Sequence, residues 1–298
     1  MRGIVAIVLF AAILLFPDCS GTGGKVEWTV NDQEYLETSG FNVLVFHDYY
    51  PEGDQGGIEF IQHDNRTAAN GFINVRLPDG QVFPRPTEAQ RSVDKGKKEI
   101  SAAVKVPDFD FGYTVRIWPD RGTVHLAVDL DKPIPAAWKD RVTFDLQLFP
   151  VTYTGKTYHL GGQSGVIPVE GLDNMTESDP GRFVPVPMAK GPRLVIAPED
   201  PLCRLQIEQV KGDLSLVDER NSTLSGWLIV SSLIPEGVGK GALEWIITPS
   251  ILPGWLHKPV IGISQVGYHP SQVKEAVIEL DKHSDRMSSA VLTRIDDN

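Results

Sequence analysis

Beyond residue 25 the chain alternates apolar and polar residues in short runs. Thr123–Leu130 reads Thr-Val-His-Leu-Ala-Val-Asp-Leu, and Val142–Leu148 reads Val-Thr-Phe-Asp-Leu-Gln-Leu. Tyr113–Ile117, Leu205–Ile207 and Leu243–Trp245 carry the same period of two. That period places every second side chain on one face, so each run predicts a half-buried strand of an antiparallel sheet. Between the runs lie Asn70-Gly71, Asp79-Gly80, Arg121-Gly122 and Lys211-Gly212. Asn70-Gly71 predicts a type I′ hairpin turn joining Ile58–Gln62 to Phe72–Leu77, because both residues accept positive φ. The 22 prolines and 28 glycines fall mostly between apolar runs, as strands bounded by turns require. Helical periodicity is confined to Ala136–Asp140, one turn after Pro135. A dozen or more strands over roughly 230 residues exceed an ordinary immunoglobulin-type domain. The predicted fold is all-β: one large antiparallel two-sheet sandwich over residues 26–250.

The two ends read differently. Arg2 followed by the uncharged, mostly aliphatic stretch Gly3–Phe16 has the length of a signal-peptide core and is too short to span a bilayer as a helix. Residues 1–19 are therefore expected to be an export signal, which places the chain in the periplasm, at the cell envelope or outside the cell. Cys19 is a candidate lipidation site. A lipobox has a small residue before its cysteine, and Asp18 stands there, so lipoprotein and plain secreted protein both stay open. A lipid anchor is the one membrane contact expected. Toward the other end, Pro253, Gly254 and Pro259 interrupt any strand ladder. Residues 251–260 are expected to be a linker, with Trp255 a candidate inter-domain contact, and 261–298 a separate, partial domain. Cys203 lies in an alternating stretch, Leu202–Ile207, and is expected to be a small buried core residue. With Cys19 removed or lipidated, no intramolecular disulfide is expected.

Charge narrows the partners. A net charge of −11 opposes nucleic-acid binding, which needs concentrated Lys and Arg, and adsorption to anionic lipid. A neutral partner such as an oligosaccharide or polysaccharide is indifferent to it. The densest polar constellation is His47–Arg66, holding His47, Asp48, Tyr50, Glu52, Gln55, His63 and Arg66. Pairing of strands 43–48 and 58–63 across the Gly-rich 51–57 loop would let His47 and His63 approach near the strand ends. Polar groups beside aromatic rings suit a sugar, and the same acids and imidazoles suit a metal. The segment also reads as a demanding loop whose glycines take positive φ and whose polar side chains satisfy loop amides. Asp108 and Asp110, one residue apart after Pro107, read as a loop leading into a strand. Gly155-Lys-Thr157 lacks the earlier glycine and the strand context of a phosphate loop. No metal and no cofactor are assigned.

One ordered set of motifs carries a family resemblance. Ile261-Gly-Ile-Ser-Gln-Val-Gly-Tyr-His-Pro270 runs into Val273-Lys-Glu-Ala-Val-Ile-Glu-Leu280. Upstream are Tyr50-Pro-Glu-Gly-Asp-Gln-Gly-Gly57, Ile61-Gln-His63, Asp129-Leu-Asp-Lys-Pro-Ile-Pro135, Gly162-Gln-Ser-Gly165, Ile196-Ala-Pro-Glu199 and Glu244-Trp-Ile-Ile-Thr-Pro249. In this order they resemble the N-terminal β domain, then the opening strands of the immunoglobulin-like domain, of a bacterial subgroup of glycoside hydrolase family 9. The resemblance covers most of residues 30–280. It implies a β-supersandwich placed before an (α/α) catalytic barrel; Tyr268, like Trp255, is a candidate inter-domain contact.

Family 9 chemistry takes its base from an Asp-Ala-Gly-Asp type motif on the barrel and its acid from a distant Glu. This chain carries neither motif. The resemblance therefore implies the non-catalytic front of an exported glycosidase, truncated before the barrel, that supports the barrel and touches glycan. Two alternatives stay open: a stand-alone carbohydrate-binding protein of the cell envelope, and an enzyme built on the His47–Arg66 cluster.

Overall fold

The computed structural model describes residues 26–46, 57–77, 83–84, 86–222, 226–291 and 293. In chain order its strands are β1 (Thr29–Val30), β2 (Leu36–Thr38), β3 (Phe41–Val45), β4 (Ile58–Gln62), β5 (Asn65–Val75), β6 (Glu88–Asp94), β7 (Glu99–Val106), β8 (Phe111–Asp120), β9 (Thr123–Leu130), β10 (Val142–Leu148) and β11 (Thr157–Leu160). There follow β12 (Gln163–Val166), β13 (Met175–Asp179), β14 (Arg182–Pro185), β15 (Ala189–Gly191), β16 (Arg193–Ile196), β17 (Leu205–Gln209), β18 (Leu214–Asp218), β19 (Leu228–Leu233), β20 (Leu243–Pro249), β21 (Val260–Gly262) and β22 (Val277–Glu279). Short 3-10 turns at Pro107–Phe109 and Ala136–Trp138, and one helical turn at Pro150–Tyr153, complete the described elements.

Eighteen of these strands form two nine-stranded antiparallel sheets. The first runs β1-β2-β3-β4-β5-β10-β19-β18-β15 and the second β12-β11-β16-β17-β20-β9-β8-β7-β6. The all-β two-sheet sandwich is as the alternation predicts. β17, β18 and β20 alternate buried and half-buried positions without a break, because their odd or even residues face the opposite sheet.

Phe144 of β10 meets Trp245 of β20 edge-on across the interface, ring centroids 5.1 Å apart. The Trp245 indole N–H donates to Ser232 Oγ (3.0 Å), and that hydroxyl donates to Gln209 Oε1 (2.9 Å). A buried polar group without a partner is costly, and Trp245, Ser232 and Gln209 satisfy one another here. At one sheet edge, Arg91 of β6 donates to the carbonyls of Val45 (2.8 Å) and Glu34 (2.6 Å), and pairs with the Glu34 carboxylate, fastening the second sheet to the first.

Two sequence readings need correction. Asn70-Gly71 is not the hairpin turn; it lies inside β5, where the register against β4 and β10 shifts. Asn70 does take positive φ (52°), but the deviation makes a bulge, where an extra residue bends the strand. A Cβ on Gly71 would come within 2.7 Å of the Ile58 side chain, so close strand approach demands glycine there. The real turn between β4 and β5 is His63-Asp64, with φ of 46° and 69°, the signature of a type I′ turn. Second, the ladder at Leu202–Ile207 begins only at Leu205; Cys203 is buried as expected but belongs to a turn.

The segment from Ile251 onward runs along the outside of the sandwich. β21 and β22 pair with each other and with no other described strand. Val260, Ile261, Ile263, Val266 and Val277 remain between 59% and 98% exposed.

Candidate functional site

The described chemistry converges where β1–β4 face the segment after Ile251. Gln62 and Thr67, fully buried on β4 and β5, flank the His63-Asp64 turn. Gln62 Nε2 donates to the Arg204 carbonyl (3.0 Å), and Thr67 Oγ1 donates to Gln62 Oε1 (2.8 Å). Tyr153 donates its hydroxyl to the Cys203 carbonyl (3.2 Å). Burial, reinforced by charge at Cys203 and Asp200, holds that phenol above its ordinary range. Burial also pushes the Cys203 thiol up to about 12, with Asp200 adding to the shift, so it is not a nucleophile at neutral pH. This layer is structural.

His63 sits at the rim of that layer. Its Nδ1 lies 2.9 Å from the Leu202 carbonyl, which only accepts, so Nδ1 carries a proton. Nε2 is buried without a hydrogen-bond partner among the described residues. A Cβ at position 40 would come within 2.6 Å of the ring, which explains Gly40. Trp255 packs edge-on to His63 at 5.4 Å and to His257 at 4.8 Å. Trp255 thus packs against the edge of the sandwich.

Between this edge and the following segment opens a cleft of about 1320 Å³. Thr29, Glu37 and Asn42 occupy facing positions of β1, β2 and β3, so they share one face of the sheet and all line the cleft. Trp255, His257, Lys258, Asp281 and Lys282 line it from the other side. His257 pairs with the Asp64 carboxylate and Lys282 with that of Glu37. The His257 backbone N–H donates to Asp281 Oδ2 at 3.0 Å, and Ser39 Oγ lies 3.4 and 3.5 Å from the Leu252 and Trp255 carbonyls. Burial pushes the Glu37 carboxyl up, yet hydrogen bonds from Lys282 and Asn31 hold it below its ordinary value. Asp281 is likewise depressed, its burial outweighed by the N–H groups of His257 and His283. Asn42 Oδ1 is buried and has no hydrogen-bond partner among the described residues.

The sequence-derived cluster is only partly in view. His47, Asp48, Tyr50, Glu52, Gln55 and Cys19 lie outside the described residues. The register of β3 against β4 pairs Phe41 with Gln62 and Val45 with Ile58, and Phe46 donates its N–H to the Gly57 carbonyl (2.8 Å). Phe46 and His63 are therefore at opposite ends of this strand pair, so the expected approach at the strand ends does not follow from the pairing. Arg66 belongs to neither group. It pairs with the buried Glu59 and lies over the Phe149 ring at 5.3 Å. Burial raises the Glu59 carboxyl despite that guanidinium. The described hydrogen bonds of the Tyr268 hydroxyl are local, with Ser264 N–H and the Glu275 carbonyl.

Sequence reasoning missed Glu37, Asn42, His257, Asp281 and Lys282. The Glu37–Lys282 pair spans 245 positions, and no local pattern announces it. Among the described residues no group of three or more His, Cys, Asp or Glu is placed to hold a metal.

No known family profile matches the chain, and no curated protein matches it. Among solved structures it is similar to the Slr1438 protein from Synechocystis sp. PCC 6803, at 10% identity and a TM-score of 0.39, over 74% of this chain and 94% of that one. A likeness this distant carries no argument about function.

Proposed function

We propose that this chain is a non-catalytic β module of an exported, family 9-like glycoside hydrolase system, and that it buttresses an (α/α) catalytic barrel and contacts glycan. The observation that carries this reading is the contrast at Val260. Upstream, strands such as β7, β17, β18 and β20 bury every second residue in a sandwich with its own core. Downstream, the resemblance motif forms a two-stranded ribbon that leaves Val260, Ile261, Ile263, Val266 and Val277 facing solvent. An immunoglobulin-like sandwich buries such residues between two sheets, and exposed apolar strands seek a partner. Completed by further strands, the ribbon would link the sandwich to a barrel. Asp110 of the carboxylate pair is exposed and bonded to Lys132, which suits a surface loop better than acid–base chemistry across a scissile bond.

The test has two arms. The purified chain is incubated with aryl β-glycosides and β-1,4-linked oligosaccharides, and mixed with a family 9 barrel module from the same genome in analytical ultracentrifugation. No released sugar and a stable complex are expected. Turnover by the chain alone, or failure to associate with the barrel, overturns the reading.

A further inference from the structure

We infer that the cleft between β1–β3 and the segment after Ile251 is a binding site for a neutral oligosaccharide, with Thr29, Glu37 and Asn42 as its polar floor and Trp255 as its wall. The choice of sugars rests on the reading above; the site itself rests on three observations.

The first is a debt in hydrogen bonding. Buried polar atoms in folded proteins nearly all have partners, yet Asn42 Oδ1 is buried without one among the described residues, and Asn42 lines the cleft. An amide oxygen only accepts, so what it lacks is a donor. A sugar hydroxyl is such a donor once the Asn42 side chain turns its amide into the cleft, and its own oxygen can accept in turn.

The second is pre-organisation. Strand register sets Thr29, Glu37 and Asn42 in a straight row on one face, at the strand spacing of about 4.8 Å. Glu37 is held by Lys282 and by the Asn31 amide (2.9 Å), so its carboxylate is fixed before any ligand arrives. A fixed hydroxyl–carboxylate–amide row matches a ring bearing several hydroxyls, and costs little ordering on binding. Trp255 stands across the cleft, braced by His63 and His257; an indole face receives the C–H side of a pyranose.

The third is size and charge. Small-molecule pockets usually fall within about 300–1,000 Å³, and this cleft is about 1320 Å³. The excess volume fits a chain of several sugar units. Five carboxylates line the cleft against two lysines, a balance that repels uronic-acid or sulfated chains and leaves neutral ones unaffected.

The full chain is titrated calorimetrically with neutral hexasaccharides of β-1,4-glucose, α-1,4-glucose, β-1,4-mannose and β-1,4-xylose, and with hexagalacturonate as the anionic probe. Binding of at least one neutral hexasaccharide is expected, weakened roughly tenfold by Trp255→Ala or by Asn42→Ala, since the central anchors of a site dominate its affinity. Asn42→Ala leaves the Trp255 contacts intact, so its effect is separable from loosening of the tail. Trp118→Ala, stacked on His125 at 5.1 Å on a different strand, should bind as the parent does. Absence of heat with every neutral hexasaccharide at millimolar concentration overturns the proposal. So does binding that survives both cleft variants, binding lost equally in Trp118→Ala, or preference for hexagalacturonate. These readouts are independent of barrel association, so the two ideas fail separately.

Discussion

The sandwich and the segment after Ile251 carry similar strand patterns and have opposite fates. In β17, β18 and β20 the apolar positions are buried against the opposing sheet. In β21 and β22 the positions are almost all exposed, because no described strand or sheet covers them. The difference teaches that alternation specifies a strand but not its burial. Burial requires a second face, and the stability comes from the area two faces remove from water. The tail is held by a few side chains: Trp255 on His63, His257 on Asp64, and Lys282 on Glu37. Ion pairs this exposed contribute little each.

Substitution at the centre of the sandwich should cut deepest. Trp245→Ala removes a fully buried ring against Phe144 and takes the indole N–H donor away from Ser232 Oγ, which keeps its bond to Gln209. Such a change costs about 3–5 kcal/mol, which chemical denaturation will measure; a loss under about 1 kcal/mol would mean that the sheets do not share this core.

Arg220→Ala comes next. Its guanidinium pairs with the buried Asp218 and donates to the carbonyls of Pro168 (2.8 Å), Val169 (3.1 Å) and Glu170 (3.2 Å). Leaving the buried Asp218 charge with only the backbone N–H groups of positions 172 and 220 as partners should cost roughly 3 kcal/mol, a fall of about 6–12 °C in Tm for a domain of this size.

Acid should expose the same pair. Burial pushes the Asp218 carboxyl up, but hydrogen bonds from Arg220 and from the Arg220 and Leu172 backbone N–H groups bring it below its ordinary value of 3.8. A carboxyl depressed in the folded state contributes stability that is present above the unfolded value and lost as pH falls through the folded one. Thermal scans should therefore show Tm dropping steeply below about pH 4, while Asp218→Asn, less stable at neutral pH, should show a shallower acid limb. Parallel limbs would remove Asp218 from the account.

Changes in the tail should matter least. A chain ending at Pro259 keeps Trp255 and His257 and loses the Lys282–Glu37 pair, a cost under about 1 kcal/mol and a Tm shift below roughly 3–4 °C. It should also be more soluble, having lost Ile261, Ile263, Val266 and Val277 from its surface. A drop well beyond that would make sandwich and tail one cooperative unit.

How much of this was legible in the sequence follows the same division. Strands such as Thr123–Leu130 were readable because a period of two is a local property. The β4–β5 turn was not. Asn70-Gly71 has turn chemistry but sits opposite two paired strands, and its positive φ is absorbed as a bulge. His63-Asp64 lacks glycine and takes a type I′ turn beside the Leu202 carbonyl, 139 positions away, and Trp255. The cleft was illegible for the same reason, since its floor comes from residues 29–42 and its opposite side from 255–282. Of its lining residues, Trp255 is marked by its place in a proline-rich boundary and Asp64 by lying within the His47–Arg66 stretch.

Hydrogen exchange followed by mass spectrometry on the full chain tests the central contrast most directly, because it reads local opening segment by segment. Amides of β10, β17, β19 and β20 should stay protected for hours, while those of β21, β22 and the loop between them should exchange within seconds to minutes. Protection of residues 260–279 equal to that of the sandwich strands would contradict the account, since it would require a covering face for the ribbon that the two sheets do not provide.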